Sequence, residues 1–150
     1  MASDDLPPRG RFVGREHRFP VRVFFEDTDL SGVVYHANYL RFMERARSDM
    51  LAVAGIHQRA AWARSDGVYV VADLAIRFRR PARLDDALLV VSTVQKVTAA
   101  TVAIHQQVML GAEVMTEATV LAAWVAPNGG KPRRQPPEWL AVFTSLLEDA

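Results

Sequence analysis

The chain has 150 residues, half of them hydrophobic, with 18 basic and 17 acidic side chains and a formal net charge of +1. That length suits one domain with a real core. The balance of charge argues against a broad nucleic-acid-binding face while leaving room for a local basic cluster. Cysteine is absent, which excludes disulfides, thiolate metal sites and a Cys nucleophile and fits a reducing, cytoplasmic setting. No apolar run reaches membrane-spanning length, and the N-terminus lacks the apolar core of a signal peptide.

Residues 1–16 read as a flexible leader, because Pro7, Pro8, Gly10 and Gly14 discourage regular structure. Residues 17–150 read as a single domain. From His17 to Glu26, Val21, Val23 and Phe25 alternate with Arg22, Phe24 and Glu26, the period of a strand. A polar break follows from Asp27 to His36. The pattern then predicts a helix over about 37–54, with Tyr39, Leu40, Met43, Ala46, Arg47, Met50, Leu51 and Ala54 on one face and Gly55 as its stop. Residues 56–66 suit either a short helix or a loop.

Four long β-rich runs follow, at Val68–Phe78, Ala87–Val97, Thr101–Leu110 and Glu113–Ala126. A basic turn, PNGGKPRR, leads to a second helix over Pro136–Glu148, with Pro137 in its first turn and Trp139, Leu140, Phe143, Leu146 and Leu147 on its apolar face. Consecutive strands with short turns predict an α+β fold: an antiparallel sheet of about five strands wrapped around one long helix, with a C-terminal helix added. Such a sheet has open edges, so a dimer that pairs edge strands is expected.

The break carries the chemistry. It holds Asp27, Asp29, Gly32 and His36 between a strand and a helix. Carboxylate and imidazole groups beside the free N–H donors of a helix start suit chemistry on a carbonyl group. Asp27, nearer the strand, reads as structural, and Asn38 as a helix cap or turn-former.

The stretch DTDLSGVVYHANYLRFMERAR closely resembles the signature of the hotdog-fold acyl-CoA thioesterases. The branch is the one associated with the Tol–Pal cell-envelope system, related to the 4-hydroxybenzoyl-CoA thioesterases. The pattern is carried by Asp29, Gly32, Val33, Val34, Tyr35, His36, Ala37, Asn38 and Tyr39, followed by Glu44-Arg45-Ala46-Arg47. Strand order and spacing extend the resemblance from about Phe19 to Trp124.

The resemblance implies hydrolysis of short-chain or aromatic acyl-CoA, or of acyl groups on acyl carrier protein. It implies a catalytic carboxylate at Asp29, a supporting imidazole at His36, and a thioester carbonyl lying against the helix N-terminus. It also implies no metal or other cofactor, and homodimers that often pair into homotetramers with sites at the dimer interface. On the chemistry, Asp29 can attack directly or act as general base for water. Gly32 and the N–H groups around His36 and Ala37 are the oxyanion and substrate-positioning candidates. Tyr35 and Tyr39 are acyl-pocket candidates, and Glu44, two turns into the helix, is a second candidate base. CoA phosphates call for basic groups near the pocket mouth, with Arg79, Arg80, Lys96 and Lys131 as candidates. The basic hairpin of the 4-hydroxybenzoyl-CoA relatives is replaced here by Val97, Thr98, Ala99, Ala100 and Thr101. His17, His36, His57 and His105 lack metal-ligand spacing.

Two other readings compete. A hydratase or dehydratase would also use a carboxylate and a histidine, with a tighter spacing. A non-catalytic acyl-binding or cell-envelope partner protein would need no intact Asp29–Gly32–His36 set.

Overall fold

The computed structural model describes residues 3–64 and 66–147. Its strands are Arg11–Val13 (β1), Glu16–Arg22 (β2), Val68–Phe78 (β3), Ala87–Val97 (β4), Thr101–Leu110 (β5) and Glu113–Val125 (β6). They form one antiparallel sheet in the order β1-β2-β4-β5-β6-β3. The helices are His36–Val53 (α1), Gln58–Ala63 (α2) and Pro137–Ser145 (α3).

Period-two patterning in the sheet gives one inward face. Leu88, Val90, Ser92 and Val94 of β4 are buried, as are Val102, Ile104, Gln106 and Val108 of β5. Against this face α1 lays Tyr39, Phe42, Met43, Ala46 and Met50. Full burial of a side chain such as Phe42 contributes roughly 1.5–3 kcal/mol. A second part of the core, around Met50, Ile104 and Trp124, is closed by Trp139 and Phe143 of α3. Gln106 is fully buried, and its amide is satisfied. Nε2 donates to Met43 C=O and Ser92 Oγ, each at 3.0 Å, and Oε1 accepts from Arg47 Nη1 at 2.9 Å.

Several elements differ from the sequence reading. The buried face of α1 is rotated: Phe42 is inside and Leu40 is exposed. The rotation also buries Asp49, near the C-terminal end of the helix. The first long strand stops at Arg22, short of Glu26. There Asp27 accepts the Phe24 N–H at 2.9 Å, and the chain coils into a 3-10 turn over Phe25–Asp27. The ambiguous stretch before β3 forms α2. The terminal helix closes at Ser145, and the expected end at Glu148 lies outside the described residues.

The leader also carries order that its prolines and glycines conceal, since Arg11–Val13 pairs with Glu16–Arg18. Just before it, Gly10 passes over α1. Asp49 accepts three contacts there: from His17 Nε2 at 2.7 Å, from the Gly10 N–H at 2.9 Å and from Arg9 Nη1 at 3.5 Å. A Cβ at Gly10 would lie 2.6 Å from both the Arg18 carbonyl oxygen and Asp49 Oδ2, so only glycine fits. His17 is fully buried, and its Nδ1 has no partner. The neutral tautomer with a proton on Nε2 suits these contacts, because protonation would strand a buried Nδ1–H. Burial holds the His17 pKa below the usual imidazole value, against the opposing pull of Asp49.

Candidate active site

Local hydrogen bonds build the loop between β2 and α1. The Asp27 C=O accepts from the Tyr35 N–H and from Asn38 Nδ2, both at 2.9 Å. The Asp29 N–H donates to Val33 C=O at 2.9 Å, and the Val34 N–H donates to Ala82 C=O at 2.8 Å. Gly32 turns this loop with φ of +82°, a conformation that L side chains rarely adopt, and open space lies beyond its Cα. Asp27 is therefore a structural carboxylate, and Asn38 ties the helix start to the loop.

Asp29 projects from this frame into water. Its Oδ1 accepts the Ser31 N–H at 2.8 Å and the Ser31 hydroxyl at 2.6 Å. These bonds hold its carboxyl below the ordinary aspartate value, so it is ionised at neutral pH. It borders an open depression of about 420 Å³ together with Phe25, Thr28, Leu30, Tyr35 and Asn38. Leu30 and Phe25 are exposed there, which gives the carboxylate an apolar rim.

His36 is the first residue of α1. Its exposed ring lies 4.6 Å from the Tyr35 ring and meets Phe78, at the end of β3, edge-on at 6.0 Å. Tyr35 supplies no side-chain cap. The first-turn N–H groups of His36 and Ala37 have no acceptor within the helix, and the helix dipole adds partial positive charge beside them. An ionised carboxylate thus stands on the same short loop as a set of donors able to meet an oxyanion.

The other candidates lie elsewhere. Tyr39 is buried in the core, where its hydroxyl accepts the Ala82 N–H at 2.9 Å, so it anchors α1 and does not line the depression. Glu44 is eight residues beyond His36, about 12 Å along the helix. It borders a separate small cavity with Arg47, whose burial lowers its pKa against the opposing charge of Glu44. Arg79 pairs with Glu117 at 2.5 Å and Arg80 with Glu113 at 3.1 Å, so both have carboxylates to satisfy before any phosphate. Lys96 and Lys131 are exposed and far apart in the chain. Among the described residues, no group of three or more His, Asp or Glu side chains is placed to hold a metal ion. The sequence reading missed Phe25 and Leu30 as rim residues, because Phe25 was assigned to the strand and nothing marks an exposed leucine in advance.

A long helix held in a six-stranded antiparallel sheet is a hotdog-type fold. Residues 31–122 match the thioesterase superfamily model, and the chain belongs to that family. It is 41% identical over 128 residues to the acyl-CoA thioesterase YbgC of Haemophilus influenzae, covering 85% of this chain and 94% of that protein. It is 38% identical over 127 residues to the acyl-CoA thioester hydrolase YbgC of Escherichia coli O157:H7, covering 84% of this chain and 94% of that protein. Among solved structures, a probable thioesterase from Bartonella henselae superimposes with a TM-score of 0.77 at 35% identity, over 81% of this chain and 99% of that one. A 1,4-dihydroxy-2-naphthoyl-CoA thioesterase from Synechocystis shares the fold, with a TM-score of 0.80 at 21% identity, over 86% and 96% of the two chains. The protein is a thioester hydrolase.

Proposed function

We propose that the protein hydrolyses acyl-CoA thioesters, with Asp29 as the reacting carboxylate. The observation that carries the reading is an ionised, water-exposed Asp29 beside the uncapped N-terminus of α1. The likeness to acyl-CoA thioesterases over most of both chains supports it. The thioester carbonyl lies against the His36 and Ala37 N–H groups, which stabilise the oxyanion; losing one such donor typically raises a barrier by about 3 kcal/mol. Asp29 either adds to the carbonyl carbon, giving an anhydride that water then opens, or takes a proton from the attacking water. Both routes expel the CoA thiolate, and both need an ionised carboxylate. The exposed His36 ring borders the same junction and is placed to orient water or protonate the leaving thiolate.

We further propose that two copies pair through β3. That strand is one edge of the sheet, opposite β1, and Val70, Val71, Leu74 and Phe78 are exposed along it. An edge left in this state invites another strand. A cytoplasmic setting accords with a cysteine-free chain. No helix among the described residues is long and apolar enough to cross a membrane.

The test is thiol release from short, long and aromatic acyl-CoAs and from acyl carrier protein thioesters, by wild type and Asp29→Asn. Turnover of an acyl-CoA that falls by at least ~100-fold in the folded variant is the expected result. Equal rates would remove Asp29 from the mechanism and put Glu44 first. Release from the carrier protein alone would replace CoA as the carrier.

A further inference from the structure

A cavity of about 110 Å³ lies between the C-terminal half of α1 and the sheet. Leu51, Val102, Ile104, Ala122 and Phe143 give it apolar walls. Tyr69 also borders it, with its hydroxyl already given to Gln135 Oε1 at 2.6 Å. At ~30 Å³ for each water, the space suits roughly three or four waters, or an organic molecule of about two to four carbons.

Arg47 is the cation of this cavity. Its side chain is half-buried and held in place: Nη1 donates to Gln106 Oε1 at 2.9 Å, and the fully buried Gln106 is itself tied to Met43 C=O and Ser92 Oγ. A guanidinium carries several N–H donors in a fixed fork. The bond to Gln106 is the one hydrogen bond Arg47 makes among the described residues, and no carboxylate among them reaches it as an ion pair. An unpaired arginine in water is ordinary. One withdrawn from water, where burial lowers its pKa, leaves charge and donors uncompensated. Glu44, three residues earlier on α1, borders the same cavity, and its charge favours the charged form of Arg47. Glu44 is exposed, however, and stands too far from Arg47 to pair with it.

We propose that this cavity binds a short aliphatic carboxylate, with its two oxygens on the Arg47 fork and its hydrocarbon tail among Leu51, Ile104 and Phe143. A planar carboxylate matches that fork with two parallel bonds, and the apolar walls favour the tail. A phosphate fits worse, because its further charged oxygens would face those walls. The site is separate from the Asp29 junction of the same chain, since Arg47 lies roughly 16 Å beyond His36 along the helix. The hydrolysis reading supplies one source of such a ligand, the acid released from a short-chain thioester, and a free acid offers the same chemistry. Glu44 opposes every anion alike, so selection rests on the fork and on the length of the tail.

The test is an NMR titration of the full chain with acetate, propionate, butyrate, hexanoate and the uncharged propionamide, on wild type, Arg47→Lys, Ala122→Leu and Glu44→Gln. The Arg47 Nε–H and Gln106 side-chain signals should move with propionate and butyrate and stay still with propionamide. Arg47→Lys keeps the charge and loses the fork, and should weaken binding at least ~10-fold. Ala122→Leu leaves the guanidinium in place and fills the cavity, so it should exclude butyrate before acetate. Glu44→Gln should tighten every acid. Competition of the bound acids with acyl-CoA in thiol release would support the site and assign it to the released acid. Binding without competition would support it and assign it to a free acid from another source. Equal affinities in wild type, Arg47→Lys and Ala122→Leu would overturn the proposal, as would propionamide binding as tightly as propionate. Absence of thiol release alongside Arg47-dependent binding would overturn the hydrolysis reading and leave this one standing.

Discussion

Asp29, Gly32 and His36 stand in water at the start of α1, whereas Asp49, Gly10 and His17 are packed together near its other end. Each set has a carboxylate, an imidazole and a glycine, yet the two have opposite uses. Asp49 meets an imidazole, a backbone N–H and a guanidinium, which saturate it. Asp29 takes its bonds from its own turn, chiefly from Ser31, and these keep it charged without covering it. The glycines differ in the same sense: Gly32 faces open space, while Gly10 has none. Under the proposed mechanism, reactivity follows exposure and spare bonding capacity more than residue type.

Substitution can break this contrast. The largest expected effect is on rate: Asp29→Asn should lose at least ~100-fold in thiol release while its urea unfolding midpoint stays at the wild-type value. A drop in the midpoint would give the loop a structural duty and weaken the distinction. Asp49→Ala should do the reverse. Its loss leaves the His17 Nε2–H and the Gly10 N–H without an acceptor, each costing about 1–3 kcal/mol, read in urea unfolding, and the activity per folded molecule should survive. Gly10→Ala should cost roughly 1–3 kcal/mol, because the added methyl meets the Arg18 backbone, Asp49 and His17.

The smallest effect is the most specific. The His17 pKa is lower in the folded chain than its ordinary 6.5, so the unfolded chain binds more protons between the two values. The contribution of His17 is therefore fully present above about pH 6.5 and is lost as pH falls through the folded value. His17→Asn should flatten that part of the stability curve. The Asp29 carboxyl, also depressed, should hold the acid limb of activity below the usual aspartate range. A shared midpoint for the two curves would contradict the division between the sites.

The exposed set was legible in the sequence because its members lie within eight consecutive positions and form a motif. The buried set was not, since His17 and Asp49 are 32 positions apart and nothing local links them. Gly10 even read as a breaker of structure, although its lack of a side chain is what lets the chain pass against Asp49. Strands β3, β4 and β5 were legible to the residue, because β-branched runs bounded by Pro and Gly leave little choice. The face of α1 was harder. Its periodicity is correct, but Phe42 and Asp49 lie inside and Leu40 is exposed. The cavity beside Arg47 draws on α1, β3, β5 and β6, segments that only the tertiary fold brings together.

The order of strands in the sheet also sets the order in which it can be assembled. β4, β5 and β6 are joined by short turns and pair with their neighbours in sequence, so their contacts form early. β2 must cross from the far side of α1 to reach β4, and β3 must wait for β6, the last strand made. Late strands are exposed longest to other chains during folding. β3 is such a strand, and it remains open on its outer edge in the finished sheet. Its irregularity between Val71 and Asp73 interrupts the ladder, the kind of break that hinders indiscriminate edge pairing. Refolding yield should therefore fall as protein concentration rises, and filling that irregularity by deletion of Ala72 should make the fall steeper.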